Sequence, residues 1–262
     1  MRSHLSPALF LCPASTGVLL SLSMLMLAAN SVPVQAGVVI GGTRFVYGEK
    51  QQSITVLVRN KSPEPYLLKT KILPGGGWAG VDKPEVTQEP FIATPPLFVL
   101  QGGRENKIRL IRTSGSLPSD RESLFTLSIA SIPSGKAGSE SVQMAIRSAM
   151  KLIYRPAGLN GNPENAYAQL EWSRTDNMVM VKNPTPYYVT LFQLNSNGHT
   201  VDEAGVVAPF SQRTENWCDA SKVCHLRWQT INDYGHVMPA VALAVSGSTP
   251  TSAAGQYEPS SP

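Results

Sequence analysis

From Val38 to Pro156 the chain runs as short segments rich in Val, Ile, Leu, Thr, Phe and Tyr, each closed by a cluster of Gly, Pro, Ser or Asn. Such runs predict β-strands. They fall at about Val38–Tyr47, Ser53–Arg59, Tyr66–Leu73, Phe91–Leu100, Asn106–Thr113, Ser123–Pro133 and Ser141–Tyr154. Seven strands in this length fit an immunoglobulin-like sandwich. The turn-rich stretch Gly158–Pro163 reads as a connection, and a second, shorter β series follows at about Ala168–Trp172, Met178–Val181, Tyr187–Leu194, Val206–Phe210, His225–Thr230 and Val241–Val245. No segment carries a sustained helical period. The prediction is all-β, two immunoglobulin-like domains at residues 37–158 and 159–246. From Gly247 the composition turns to Ser, Thr, Pro, Ala and Gly, too poor in apolar side chains to order itself, so 247–262 is expected to be a flexible tail.

The chain opens with Arg2 and an apolar run, Gly17–Ala29, of 13 residues. A membrane-spanning helix needs roughly 20. Val34-Gln35-Ala36 supplies small residues where a signal peptidase cuts, so residues 1–36 are expected to be a cleaved signal peptide and the product to be exported. Export places the chain in an oxidising compartment. Cys12 leaves with the signal, and a local disulfide between Cys218 and Cys224 is the expected state. The competing metal reading has His225 next door but no second ligand pair, so no metal or other cofactor is expected.

Without Arg2 there are 21 Lys and Arg against 18 Asp and Glu, a formal charge of +3. The basic residues are scattered and form no stripe that could track phosphates, which excludes a nucleic-acid partner. Ser148 and Lys151 match the Ser-x-x-Lys of penicillin-recognising enzymes, but they sit in a strand-like run where residues three apart point to opposite faces, and the companion motifs are missing. His199, His225 and His236 are too few for a copper-zinc dismutase. Neither an enzyme nor a small-molecule substrate is indicated.

In Ser141–Pro156, Val142, Met144 and Ile146 alternate with Gln143, Ala145 and Arg147, giving one apolar face. That face can be ordinary core, or an edge strand offered to a partner by strand addition.

A set of motifs bears on the choice: Gly-Thr-Arg44-Phe-Val-Tyr, Ile92-Ala-Thr-Pro-Pro96, Asp120-Arg-Glu-Ser-Leu-Phe125, Lys151-Leu-Ile-Tyr-Arg-Pro156, Asn183-Pro-Thr-Pro-Tyr-Tyr188, Ala208-Pro-Phe210 and Ile231-Asn-Asp-Tyr-Gly235. In this order they resemble the periplasmic pilus chaperones of the chaperone-usher pathway, over about Val38–Val245. The resemblance implies two immunoglobulin-like domains in an L and a non-enzymatic, periplasmic function. Such a chaperone binds, folds and caps pilus or fimbrial subunits by donor-strand complementation, then delivers them to an outer-membrane usher. It makes Val142, Met144 and Ile146 the donor residues, and Arg44 and Lys151 the pair that clasps the subunit's C-terminal carboxylate. It places Glu122, Arg155 and Asp233 in an interdomain salt bridge and Thr94-Pro95-Pro96 where a cis bond is tolerated; self-association of the free chaperone over its edge strand is left open.

The short stretch between Pro133 and Ser141 resembles the short-loop branch of the family. His236, the Cys218–Cys224 pair and the long tail depart from its common pattern. The runner-up class is a secreted immunoglobulin-like adhesin, which would give Arg44 and Lys151 no reason to accompany the apolar strand.

Overall fold

The structure is a computed structural model that describes residues 37–262 except 82, 88, 114, 135–142, 219–222 and 253–262. The expected signal segment, Val142 and most of the short loop lie outside the described residues. The first sandwich contains β1 Val38–Ile40, β2 Arg44–Gly48, β3 Ile54–Asn60, β4 Tyr66–Pro74, β5 Phe91–Thr94, β6 Leu97–Leu100, β7 Glu105–Arg112, β8 Ser123–Pro133 and β9 Ile146–Arg155. One sheet has the order β1-β3-β7-β5, the other β2-β9-β8-β4-β6. Strand alternation builds the core: along β3, Val56 and Val58 turn in while Thr55, Leu57 and Arg59 turn out. Tyr47, Phe91 and Phe125 meet edge to face at 5.0 Å inside, an arrangement favoured by the ring quadrupoles.

Two predicted strands are each divided between the sheets. Val38–Tyr47 crosses over at a turn in which the Gly42 amide donates to the Ile40 carbonyl, so β1 pairs antiparallel with β3 whereas β2 runs parallel to β9. Phe91–Leu100 divides at Pro95-Pro96, where the Thr94–Pro95 bond is cis. Prolines have no amide to give a ladder, so the chain changes sheets there. The predicted Ser141–Tyr154 strand is a ladder only from Ile146, where β9 meets Ser131 of β8.

The second sandwich begins after a 3₁₀ segment, Pro163–Gln169, where the sequence indicated only a turn-rich connection. Asn162 Oδ1 caps it by accepting from the Glu164 amide at 2.9 Å, and Ala166, Tyr167 and Ala168 are buried. Then follow β10 Glu171–Thr175, β11 Met178–Lys182, β12 Val189–Thr190, β13 Phe192–Ser196, β14 His199–Thr200, β15 Val206–Val207, β16 Gln212–Glu215, β17 Cys224–Gln229, β18 Val241–Val245 and β19 Thr251–Ser252. The sheets are β16-β11-β10-β19, β14-β13-β17-β18 and the ribbon β12-β15. Trp172 packs on Trp228 with centroids 5.0 Å apart.

The two sandwiches use one loop device. Asn60 donates to the Glu64 and Leu100 carbonyls while its Oδ1 accepts from the Ser62 amide and hydroxyl. Asn183 does the same with the Tyr187 and Val207 carbonyls and with Thr185. A buried amide must satisfy both its ends, which accounts for Asn183-Pro-Thr in the motif.

The tail differs from expectation at its start. The Arg174 amide donates to the Gly247 carbonyl at 2.8 Å, and Thr251–Ser252 pairs with Trp172 and Glu171 of β10. The ladder uses backbone groups alone, so the lack of apolar side chains does not prevent it.

A third apolar cluster joins the sandwiches: Val81, Leu124 and Ile153 from the first against Tyr188 and Val206 from the second, with Val46, Trp78 and Ala208 around them.

Candidate functional site

Parallel pairing of β2 with β9 sets Arg44 directly beside Lys151. Both project from the face opposite the core, since Phe45 and Leu152 follow them toward the interior, and that face looks onto the second domain. Neither cation has a carboxylate partner among the described residues. The Arg44 Nη1 donates to the Ile231 carbonyl and Nη2 to Thr190 Oγ1 at 2.8 Å. The Lys151 Nζ lies 4.0 Å from the centroid of the Trp78 ring, within cation–π range. Burial, and then the Arg44 charge, pull the Lys151 ammonium down to about 8. Burial likewise lowers Arg44, against the pull of Asp233 and Glu122. Two like charges are thus gathered and partly desolvated; their direct hydrogen-bond and ring contacts are neutral, and the Asp233 and Glu122 carboxylates act on Arg44 only from beyond ion-pair distance.

Glu122, Arg155 and Asp233 form one connected group. Arg155 Nε meets Glu122 Oε1 at 2.6 Å, and its Nη1 and Nη2 hold Asp233 Oδ2 and Oδ1 at 2.6 and 3.0 Å. Glu122 is 1% exposed, and its Oε2 accepts from the Tyr188 amide at 2.7 Å. Burial pushes this carboxyl up to about 7 despite Arg155 and the Tyr188 amide. Asp233 stands on a turn closed by Asn232, whose Oδ1 accepts from the Tyr234 and His236 amides. Glu122 and Arg155 belong to the first sandwich and Asp233 to the second, so the group spans the junction.

Along β9, Met150, Leu152 and Tyr154 face the core. Ile146 has the same parity but is 59% exposed, and Met144, two residues earlier, is 75% exposed. After Ser148, apolar positions of that parity therefore resume at Ile146 and Met144, past the end of the protein's own core. Val142 lies outside the described residues. Cys218 and Cys224 are bonded, which removes the thiols from the metal reading. No group of metal-ligating side chains occurs among the described residues.

Sequence reasoning missed Trp78, Thr126, Thr190 and the Ile231 carbonyl. Trp78 carried a signal, a large aromatic flanked by Gly75, Gly76, Gly77 and Gly80 in a loop. The others depend on contacts between distant segments.

A two-sandwich β protein with a cation pair at its junction and an apolar edge row beyond its core is the class defined here. Residues 37–160 match the pili and flagellar-assembly chaperone PapD N-terminal domain, and 165–242 the pili assembly chaperone PapD C-terminal domain. The fimbrial chaperone YcbF of Escherichia coli K12 is 48% identical over 219 residues, covering 82% of this chain and 92% of its own. Chaperone protein FimC of the same organism is 37% identical, covering 85% and 89%. Among solved structures, the E. coli chaperone DraB superposes with a TM-score of 0.66 at 33% identity, over 79% of this chain and 95% of its own. The Salmonella enterica SafB chaperone complex with SafA pilin gives 0.69 at 28% identity, over 81% and 98%. The chain belongs to the pilus-assembly chaperone family, a family of chaperones rather than of catalysts.

Proposed function

We propose that Arg44 and Lys151 clasp the C-terminal carboxylate of a pilus subunit while Val142, Met144 and Ile146 fill the groove left by that subunit's missing strand. The observation that carries this reading is the cation pair itself: two adjacent charges in direct contact with neutral groups alone are arranged to receive an anion. Charge-assisted bonds to a carboxylate would fix the register of the added strand, and a one-residue slip would turn the apolar row out of the groove. Each large apolar residue buried there contributes on the order of 1.5 to 3 kcal/mol before ordering costs. Backbone pairing along the strand is indifferent to sequence, as in strand addition generally.

The Glu122–Arg155–Asp233 group holds the junction and does not touch the subunit. The proposed organisation is a cleaved signal at 1–36, domains at 37–158 and 159–246, and a tail from 247 whose first residues join β10 of the second sandwich. The two domain matches, at 37–160 and 165–242, support the division into two domains. In this reading the protein works in the periplasm, as a short-loop member, and hands its subunits to an outer-membrane usher.

The test is Lys151→Ala and Arg44→Ala. Truncating one partner of a buried charged contact costs about 2 to 5 kcal/mol, so each variant folds and is exported but loses its subunits on purification from periplasm. Normal subunit recovery with Lys151→Ala overturns the assignment.

A further inference from the structure

The loop between β4 and β5 is fastened to both sandwiches. Its tip closes on itself through the Val81 amide to the Trp78 carbonyl at 2.7 Å and the Gly77 amide to the Val81 carbonyl at 3.2 Å. The Val206 amide of the second sandwich donates to the Ala79 carbonyl at 2.8 Å, and Val81 is buried in the junction cluster. Two glycines permit this approach. Gly80 and Gly205 have φ of +83° and +74°, and a Cβ on either would run into the backbone across the contact, the Val206 and Ala79 carbonyl oxygens respectively. Within this frame the Trp78 indole Nε1 donates to Thr126 Oγ1 at 2.9 Å. Thr126 is the residue of β8 directly across from Lys151. The ring is thereby held over the Lys151 ammonium.

We propose that Trp78 is a positioning residue of the subunit clasp, holding the Lys151 ammonium beside Arg44 through its ring face, with Thr126 fixing the ring. The proposal rests on the reading of Arg44 and Lys151 as a carboxylate site. An ammonium on a flexible four-carbon stem next to a guanidinium would otherwise swing away into water, because like charges repel and the stem has rotamer freedom to lose. A carboxylate in the place of Trp78 would hold it equally well but would cancel the charge the ligand needs. An aromatic face attracts the cation and leaves its net charge intact. Because the loop carrying the ring is bonded to Val206, the clasp is assembled only when the two sandwiches are packed together.

Acetate serves as the minimal carboxylate probe, titrated into the full-length mature protein at constant ionic strength, with chloride as the control. The reporters are the NMR signals of the Arg44 side-chain Nε–H and the Lys151 ε-methylene. The Arg155 Nε–H signal reports whether the junction is intact. Wild type is expected to show a saturable, acetate-specific response. Trp78→Leu should bind acetate roughly tenfold more weakly, and Trp78→Phe, which keeps a ring, within about threefold of wild type. A Trp78→Leu variant that keeps the Arg155 signal and binds acetate as wild type overturns the proposal. So does one whose thermal stability falls while its acetate affinity does not. Should Trp78→Leu fail to fold, Thr126→Val decides, with weakened acetate binding expected and unchanged binding overturning the role. Absence of any acetate response in wild type refutes the clasp itself, and Trp78 then has nothing to position.

Discussion

Removing Arg155 isolates the effect of a single buried carboxylate at the domain junction. Glu122 is 1% exposed, and it has two described polar contacts at its carboxylate, Arg155 Nε at 2.6 Å and the Tyr188 amide at 2.7 Å. In Arg155→Ala the backbone donor remains and the cation is gone, while Asp233, about a quarter exposed at its side chain, can turn to water. Breaking a buried ion pair from one side costs about 3 to 5 kcal/mol, because the partner charge is stranded. That cost applies to the ionised form. The Glu122 carboxyl is already raised by burial from 4.5 to about 7 with Arg155 in place, and loss of the cation raises it further. A carboxyl that holds its proton more tightly in the folded chain gives stability that is fully present below its unfolded value, about pH 4.5, and is lost as pH rises through its folded value. Arg155→Ala is therefore most damaging at pH 8. At pH 5 the neutral acid leaves only lost hydrogen bonds and packing, about 1 to 2 kcal/mol. Urea unfolding of wild type, Arg155→Ala, Glu122→Gln and the double variant at both pH values measures this directly. An Arg155→Ala penalty that is the same at pH 5 and pH 8 refutes the reasoning, as does a double variant no more stable at pH 8 than Arg155→Ala alone.

Met144→Glu places a charge on a residue that is 75% exposed, so thermal stability should stay within about 0.5 kcal/mol of wild type while subunit pull-down is abolished; a variant that unfolds, or that still binds subunits, removes Met144 from the donor row. Free-thiol titration of the denatured, unreduced mature protein should find none. Replacing Cys218 and Cys224 together by Ala should cost at the lower end of about 2 to 4 kcal/mol, because the closed loop is short; unchanged melting of the second domain would contradict that estimate.

The sequence makes the two sandwiches legible because alternation and turn residues are local signals. What it obscures are places where a continuous β-prone run crosses between sheets. Val38–Tyr47 and Phe91–Leu100 look like single strands because the change of partner at Gly42 and at Pro95-Pro96 alters which ladder is joined, not the residue type. The short strands β14 and β19 were invisible for a related reason. His199–Thr200 and Thr251–Ser252 are polar pairs whose place is set by backbone bonds to a neighbour.

The candidate site divides along the same line. The residues of the cation pair are 107 positions apart in sequence and become neighbours only through a parallel pairing, so composition alone reads them as solvated charge. The motifs named Arg44 and Lys151 but not the ring and hydroxyl that steady them, and they contained Ile231 without its contact to Arg44, because such contacts between distant segments carry no spacing signature. The apolar row shows the limit most clearly. Ile146 and Met150 are the same kind of residue at the same parity on one strand, yet one is exposed and the other is core. The difference lies in what stands opposite. β8 offers a partner as far as Ser131, across from Ile146, and the facing sheet covers the row only as far as Met150. Alternation fixes which face is apolar, but the extent of the opposing strands decides where the protein's own core stops and where a partner's can begin.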